Sequence, residues 1–346
     1  HTIANNKIRN LGTYDAGSGI EFWGGGVLLY NNQYAAVTDN CMENVRLGIQ
    51  TGNFSAANPG LPASQVISGN TMQVRRTGIF HNLHYTNAST LTLSGNTVNA
   101  LANVNETKWD GIALSSLSVP SISINNIING NNIAVTNLSK GYEIWNVKSP
   151  VTASTITGGS ITGVDIGVFA NNYEGYADDA LDGAHTTVTN VTITTKPTGT
   201  GVRIFDSPSS TTHADVRLAV SGCTISGGLE GVKFEETVAG TVGGSINNNT
   251  ISSSAVGINV NSMVTDGSNI CSIANNGITL TGQLTGSNPT AGVFLRKLTG
   301  TTAATISNNT ISGAFYGYVG YNMNTTPASD IDGGSITGVM QGVALL

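Results

Sequence analysis

The chain has 346 residues, a formal net charge of −6 and only 10% charged residues. Its 14 Lys and Arg form no basic stripe, which excludes a nucleic-acid surface, and no apolar run approaches the ~20 residues needed to span a bilayer. Cys41, Cys223 and Cys271 lie too far apart in sequence for a disulfide framework or a metal-ligand spacing, so they read as small buried or stacked thiols.

Taken in chain order, one six-residue pattern recurs twelve times: an aliphatic residue, small or polar residues that usually include Asn or Gly, then a second aliphatic. It reads IANNKI at 3–8, VTDNCM at 37–42, ISGNTM at 67–72, LSGNTV at 93–98, INGNNI at 128–133 and ITGGSI at 156–161. It continues as VTNVTI at 188–193, VSGCTI at 220–225, INNNTI at 246–251, IANNGI at 273–278, ISNNTI at 306–311 and IDGGSI at 331–336. After each copy comes a Gly and then Ile, Val or Tyr, from Gly19-Ile20 through Gly141-Tyr142 and Gly317-Tyr318 to Gly342-Val343. A period of this length, running from end to end, predicts a solenoid in which one core lengthens without thickening.

Within each motif the two aliphatics suit short strands meeting at a tight corner, because Asn and Gly tolerate a left-handed backbone. Asn6, Asn40, Asn70, Asn96, Asn131, Asn249, Asn276 and Asn309 are placed to hydrogen-bond from coil to coil as an interrupted ladder. The Gly segment supplies a third strand with alternating inward and outward side chains, as in GIEF at 19–22, GVKF at 231–234 and GVFL at 292–295. Five residues separate the second aliphatic from the Gly in seven of the twelve coils, and the longest return loop falls at 171–185. No window has sustained helical periodicity.

These features resemble the right-handed parallel β-helix repeat of pectate-lyase-like proteins, mannuronan epimerases, phage tailspikes and bacterial surface adhesins, over essentially the whole chain. The resemblance implies an all-β, single-domain right-handed parallel β-helix of about twelve coils covering residues 1–346. With strands ~4.8 Å apart, that is a rod of roughly 55–60 Å. No capping helix is legible at either end, so a segment or subunit of a longer solenoid or fibre is expected, with neighbouring copies or further coils end to end. Starting at His1, the chain reads as a mature or excised piece of a secreted or cell-surface, bacterial protein.

In such proteins a sugar cleft follows the outward side of the Gly strands. The outward positions here include Glu21 and Trp23, Gln50, Phe80, Ala113, Glu143 and Trp145, Phe169, Arg203 and Phe205, Lys233 and Glu235. Glu143, Trp145, Phe169 and Phe205 are candidates for carbohydrate binding, since aromatic faces stack on sugar rings. Arg203 and Lys233 fall on adjacent coils. A lyase needs a cation to neutralise a uronate and a base to take the neighbouring proton, roles open to Arg203 and Lys233 beside Glu235. The competing reading pairs Glu143 and Glu235 with these cations, which keeps Lys233 charged, and packs the aromatics under the 171–185 loop. Asp178, Asp179 and Asp182 are the one group able to chelate Ca²⁺; otherwise no cofactor is expected. His81 and His84 read as surface residues at a strand end. The Gly-His-Gly, Arg-Ile-Lys and Asp-Pro-His-Glu signatures of related enzymes are absent.

The leading expectation is therefore a structural β-solenoid segment of an extracellular fibre or adhesin, a rigid stalk with possible glycan adhesion and no catalysis. The alternatives are a polysaccharide lyase and a tailspike-like carbohydrate-binding module acting on acidic polysaccharide.

Overall fold

In the computed structural model every coil turns at the motif corner, and the corners stack. The structure describes residues 1–11, 24–30, 35–52, 64–84, 90–102, 106–117, 121–133, 138–145, 154–172, 185–206, 216–235, 242–265, 271–282 and 290–346. Among these residues the regular secondary structure is β-strand, and every strand pairing is parallel. The chain is a parallel β-solenoid.

Register ties the repeats together. The first aliphatic of each motif forms one column: Ile3, Val37, Ile67, Leu93, Ile124, Ile156, Val188, Val220, Ile246, Ile273, Ile306 and Ile331. A second column runs from Ile8 through Met42, Met72, Val98, Ile128, Ile161, Ile193, Ile225, Ile251, Ile278 and Ile311 to Ile336. The third strands add Val27, Ile49, Ile79, Ile112, Tyr142, Val168, Val202, Val232, Ile258, Val293, Tyr318 and Val343. Most of these side chains are fully buried and make one continuous core. Burying such a column is the main favourable term holding the coils together.

The corner is sharp because the residue before the ladder position lies in the left-handed region in every coil but the fifth, as Asn5, Asp39, Asn190, Asn248, Asn275 and Asn308 do at φ between 55° and 59°. The next residue carries the ladder. Asn40, Asn70 and Asn96 are 0–1% exposed, yet each amide is satisfied. Nδ2 of Asn40 donates to Asn70 Oδ1 (2.9 Å) and to the Ile3 carbonyl (2.9 Å), while the Asn40 backbone N–H also donates to Asn70 Oδ1 (3.0 Å). The pattern repeats from Asn70 to Asn96 and from Asn96 to Asn126, and again from Asn249 through Asn276 to Asn309.

Between the two runs Gly159, Val191 and Cys223 stand at the ladder position. Cys223 takes over part of the bonding: its Sγ faces the Val188 carbonyl at 3.5 Å and its N–H donates to Asn249 Oδ1. All three cysteines are free thiols. Where the first run stops, Asn126 donates to the hydroxyl of Tyr142 (3.3 Å), one of two tyrosines in a column that is otherwise aliphatic. Tyr318 stands likewise beside Asn309, the end of the second run. Its hydroxyl lies outside normal hydrogen-bond geometry, and burial raises its pKa while the amide partly offsets that.

Two positions differ from the sequence reading. In the fifth coil Ile124 and Ile128 fill the columns and Asn126 the ladder, not Ile128, Ile133 and Asn131. Residues 124–128 form a corner one residue shorter, with a register irregularity between Asn125 and Ile127, and Asn131 is exposed. In the first coil the described third strand is Gly25–Tyr30, with Val27 opposite Ile49. The expected Gly19-Ile20 pair, with Glu21 and Trp23, lies outside the described residues.

The recurrent glycine has a spatial cause. A Cβ on Gly201 would lie 2.5 Å from the Gly231 carbonyl oxygen and 2.3 Å from Ile225 Cγ2, and Gly141, Gly231 and Gly257 meet the same obstacle. The third strands stack so closely at this point that no side chain fits between them.

Candidate functional site

The third strand turns two side-chain rows outward. One follows the glycine by two residues: Leu28, Gln50, Phe80, Ala113, Glu143, Phe169, Arg203, Lys233, Asn259 and Phe294 in register. The other immediately precedes the glycine and includes Leu47, Thr77, Asp110, Lys140, Ile166, Thr200 and Glu230. Reading only the first row from sequence missed Asp110 and Glu230. Charged residues at a position otherwise mostly apolar or hydroxylic were the available signal.

Arg203 and Lys233 are register partners, as the spacing predicts. Each is engaged. Arg203 donates to Glu235 Oε2 from Nε (2.8 Å) and Nη2 (2.5 Å). Lys233 Nζ lies 3.0 Å from Glu230 Oε2 and 3.2 Å from Glu235 Oε1. Asn259 Nδ2 donates to the other oxygen of Glu230 at 2.5 Å. Burial works to lower the Lys233 pKa, but the two carboxylates outweigh it and the net shift is upward. Lys233 is therefore an ammonium at neutral pH; proton abstraction would require the opposite shift.

Phe169 is 7% exposed, with Lys140 Nζ 5.0 Å and Arg203 Cζ 5.2 Å from its ring centre. Phe205 is half-buried, its ring 6.0 Å from the same guanidinium. These are cation–π distances. Trp145 pairs through its backbone with Ser115 and Asn171, and its side chain lies outside the described residues. Asp178, Asp179 and Asp182 also lie outside them. Among the described residues no cluster of His, Cys, Asp or Glu has metal-binding geometry.

Glu143 is 2% exposed and forms an ion pair with Lys140, while Lys108 Nζ stands 3.9 Å from its Oε2. Burial, reinforced by the Asp110 charge and opposed by Lys140 and Lys108, pushes its pKa up to about 7. Asp110 is 1% exposed. Lys108 Nζ lies 3.3 Å from its Oδ2, and neither carboxylate oxygen accepts a hydrogen bond from a described residue.

Beside Asp110 opens a cavity of about 250 Å³ lined by Arg46, Leu47, Gln50, Arg76, Thr77, Phe80, Lys108, Asp110 and Ala113. Arg46 reaches Glu106 from Nε (2.5 Å) and Nη2 (3.3 Å), pinning the connection after the fourth motif back onto the second coil. Further along, Lys196, Asp165 and Ser139 clamp three successive coils, with Ser139 Oγ donating to Asp165 Oδ2 at 2.6 Å and Lys196 3.0 Å from the same oxygen. His81 is not at the surface: it is buried between Thr51 and Leu114 in an inward column, with Nδ1 2.5 Å from Thr51 Oγ1.

Among the described residues no helix is long and apolar enough to cross a membrane. The chain matches no protein-family model, no curated protein and no solved structure.

Proposed function

We propose that this chain is a structural β-solenoid segment of a secreted or cell-surface fibre or adhesin, a stiff stalk whose third-strand face offers glycan adhesion around Glu143, Trp145, Phe169 and Phe205. The observation that carries the reading is the unbroken register of three apolar columns, because a core that repeats without interruption resists bending and local opening along its whole length. The outward charges support it: Arg203, Lys233, Glu230 and Glu235 neutralise one another, as stable surface pairs do. Single-molecule pulling on the full chain tests the stalk. Stepwise release of coils at high force supports it, and a single low-force collapse removes it. Cation–π seating of Phe169 and Phe205 leaves adhesion to be read by titrating acidic and neutral glycans against Phe205→Ala.

A polysaccharide lyase is the second reading, favoured by the adjacency of Arg203 and Lys233 in register. It predicts an ultraviolet-absorbing unsaturated product from alginate, pectate or a glycosaminoglycan, abolished in Lys233→Ala. Absence of product across that panel eliminates it.

A further inference from the structure

Lys140 and Glu143 flank the Gly141-Tyr142 step of one third strand, Ser139–Trp145, and meet on its outward side. Lys140 Nζ touches Glu143 Oε1, and the contact is dry: the two side chains are 13% and 2% exposed. The Phe169 ring of the next coil covers the ammonium at 5.0 Å. Glu230 and Glu235, which pair with Lys233, are more open at 15% and 18%. On the preceding coil Asp110 is the register partner of Lys140. Lys108 Nζ joins the two acids, 3.3 Å from Asp110 Oδ2 and 3.9 Å from Glu143 Oε2.

A buried ion pair loses to desolvation much of what its attraction supplies, so these two charges add little to the fold as they stand. Condensing them into an amide removes both charges and leaves a neutral group in the same space. In open water an amine and a carboxylate do not condense. Groups held in contact react as though at roughly 10⁵–10⁸ M, which reverses that balance. The three side chains bring complementary roles. Burial, reinforced by the Asp110 charge, pushes the Glu143 pKa up to about 7 and keeps its carboxyl partly protonated near neutral pH. A neutral carboxyl accepts a nucleophile that a carboxylate repels. Asp110, opposite Lys140 in register, supplies the base that frees the amine.

We propose that Lys140 and Glu143 condense after folding into a side-chain amide, with Asp110 as the proton acceptor. The bond from Lys140 Nζ to Glu143 Cδ forms, and one Cδ–Oε bond of Glu143 breaks. Of the three ammonium protons, one stays on the amide nitrogen, one leaves with the Glu143 hydroxyl as water, and one ends on Asp110. Nothing is oxidised or reduced, and no co-reactant is needed. The closed ring spans Gly141 and Tyr142, where a Cβ on Gly141 would lie 2.5 Å from the Gly167 carbonyl oxygen. It therefore locks the third strand at its closest approach to the next coil. Closure also removes the pH dependence that Glu143 gives the open chain. The bond goes beyond the stalk reading and does not rest on it, since stacked coils stand with or without it.

The test is intact-mass spectrometry of the folded full chain during incubation near neutral pH, followed by tryptic mapping. The mass falls by one water, trypsin ceases to cut after Lys140, and fragmentation joins Lys140 to Glu143. Lys140→Arg keeps its full mass. Asp110→Asn slows closure about a hundredfold or more, and Asp110→Glu restores part of the rate, which a merely structural role for Asp110 does not predict. The first measurement is made on the wild-type chain, so the test survives a variant that misfolds. An unchanged mass in a chain with native circular dichroism overturns the proposal. So does a link that joins Lys108 instead of Lys140, a water loss mapped to a cyclic imide at Asp110-Gly111, or undiminished closure in Asp110→Asn.

Discussion

The corner column and the outward face of the third strands share one coil-to-coil spacing and use it in opposite ways. At the corner a neutral amide recurs in two runs, and within each run successive copies make the same bonds, Asn40 to Asn70 as Asn276 to Asn309. On the face no residue type recurs over long stretches. Gln50, Phe80, Ala113, Glu143, Phe169, Arg203 and Lys233 succeed one another, and charges find partners case by case. Repetition at the corner secures the register; variety on the face is what that security permits. The face is therefore where specificity can reside without cost to the fold.

The contrast can be strained at four places, measured by chemical denaturation of the purified chain. The largest loss is expected from Gly201→Ala, where the new methyl meets the Gly231 carbonyl and Ile225. It should cost about 3 kcal/mol or more, while Gly277→Ala, whose Cβ meets nothing nearer than 4.0 Å, stays within about 0.5 kcal/mol. Next comes Asn70→Ala, which strips the Val37 carbonyl of a donor and leaves the Asn40 amide without an acceptor. About 2–4 kcal/mol should go, and a loss below ~0.5 kcal/mol would mean that the ladder is passive.

Glu143, on the face, makes stability depend on pH. Its carboxyl titrates near 4.5 in the unfolded chain and about 7 when folded. The folded state therefore holds the proton more tightly, and its contribution is fully present below about pH 4.5 and lost as pH rises through 7. Glu143→Gln should flatten that slope, worth on the order of 1–3 kcal/mol between pH 4.5 and 8. A wild-type melting temperature that rises over this window contradicts the assignment. The smallest effect belongs to the face itself: Glu235→Gln should cost about 1 kcal/mol or less and matter less still in high salt, as a partly exposed ion pair does.

How far the sequence carried each region follows from the same contrast. The corner was legible because a repeated bond demands a repeated residue, and seven of the eight proposed ladder asparagines stand where expected. Asn131 failed because INNII at 124–128 and INGNNI at 128–133 both satisfy the pattern within one overlapping stretch. Only the register with Leu93 and Ile156 on neighbouring coils decides between them. The bond from Asn126 to the Tyr142 hydroxyl went unread for the same reason, since the ladder position had been placed at Asn131. On the face, the adjacency of Arg203 and Lys233 was legible from alternation alone. The cavity was not, because Glu106 and Lys108 lie in an aperiodic connection that folds back to Arg46, 60 residues earlier.

The central claim is the stacking register, and a designed disulfide reads it directly. Thr194 and Ser226 are exposed or half-exposed partners on adjacent coils, with hydroxyls 2.9 Å apart. Thr194→Cys with Ser226→Cys should oxidise to a cross-link mapped by mass spectrometry. Thr194→Cys with Thr224→Cys, two residues out of step, should remain reduced, since cysteines with Cα atoms beyond ~7 Å do not bridge. A cross-link in the second pair and none in the first would contradict the stacked-coil account.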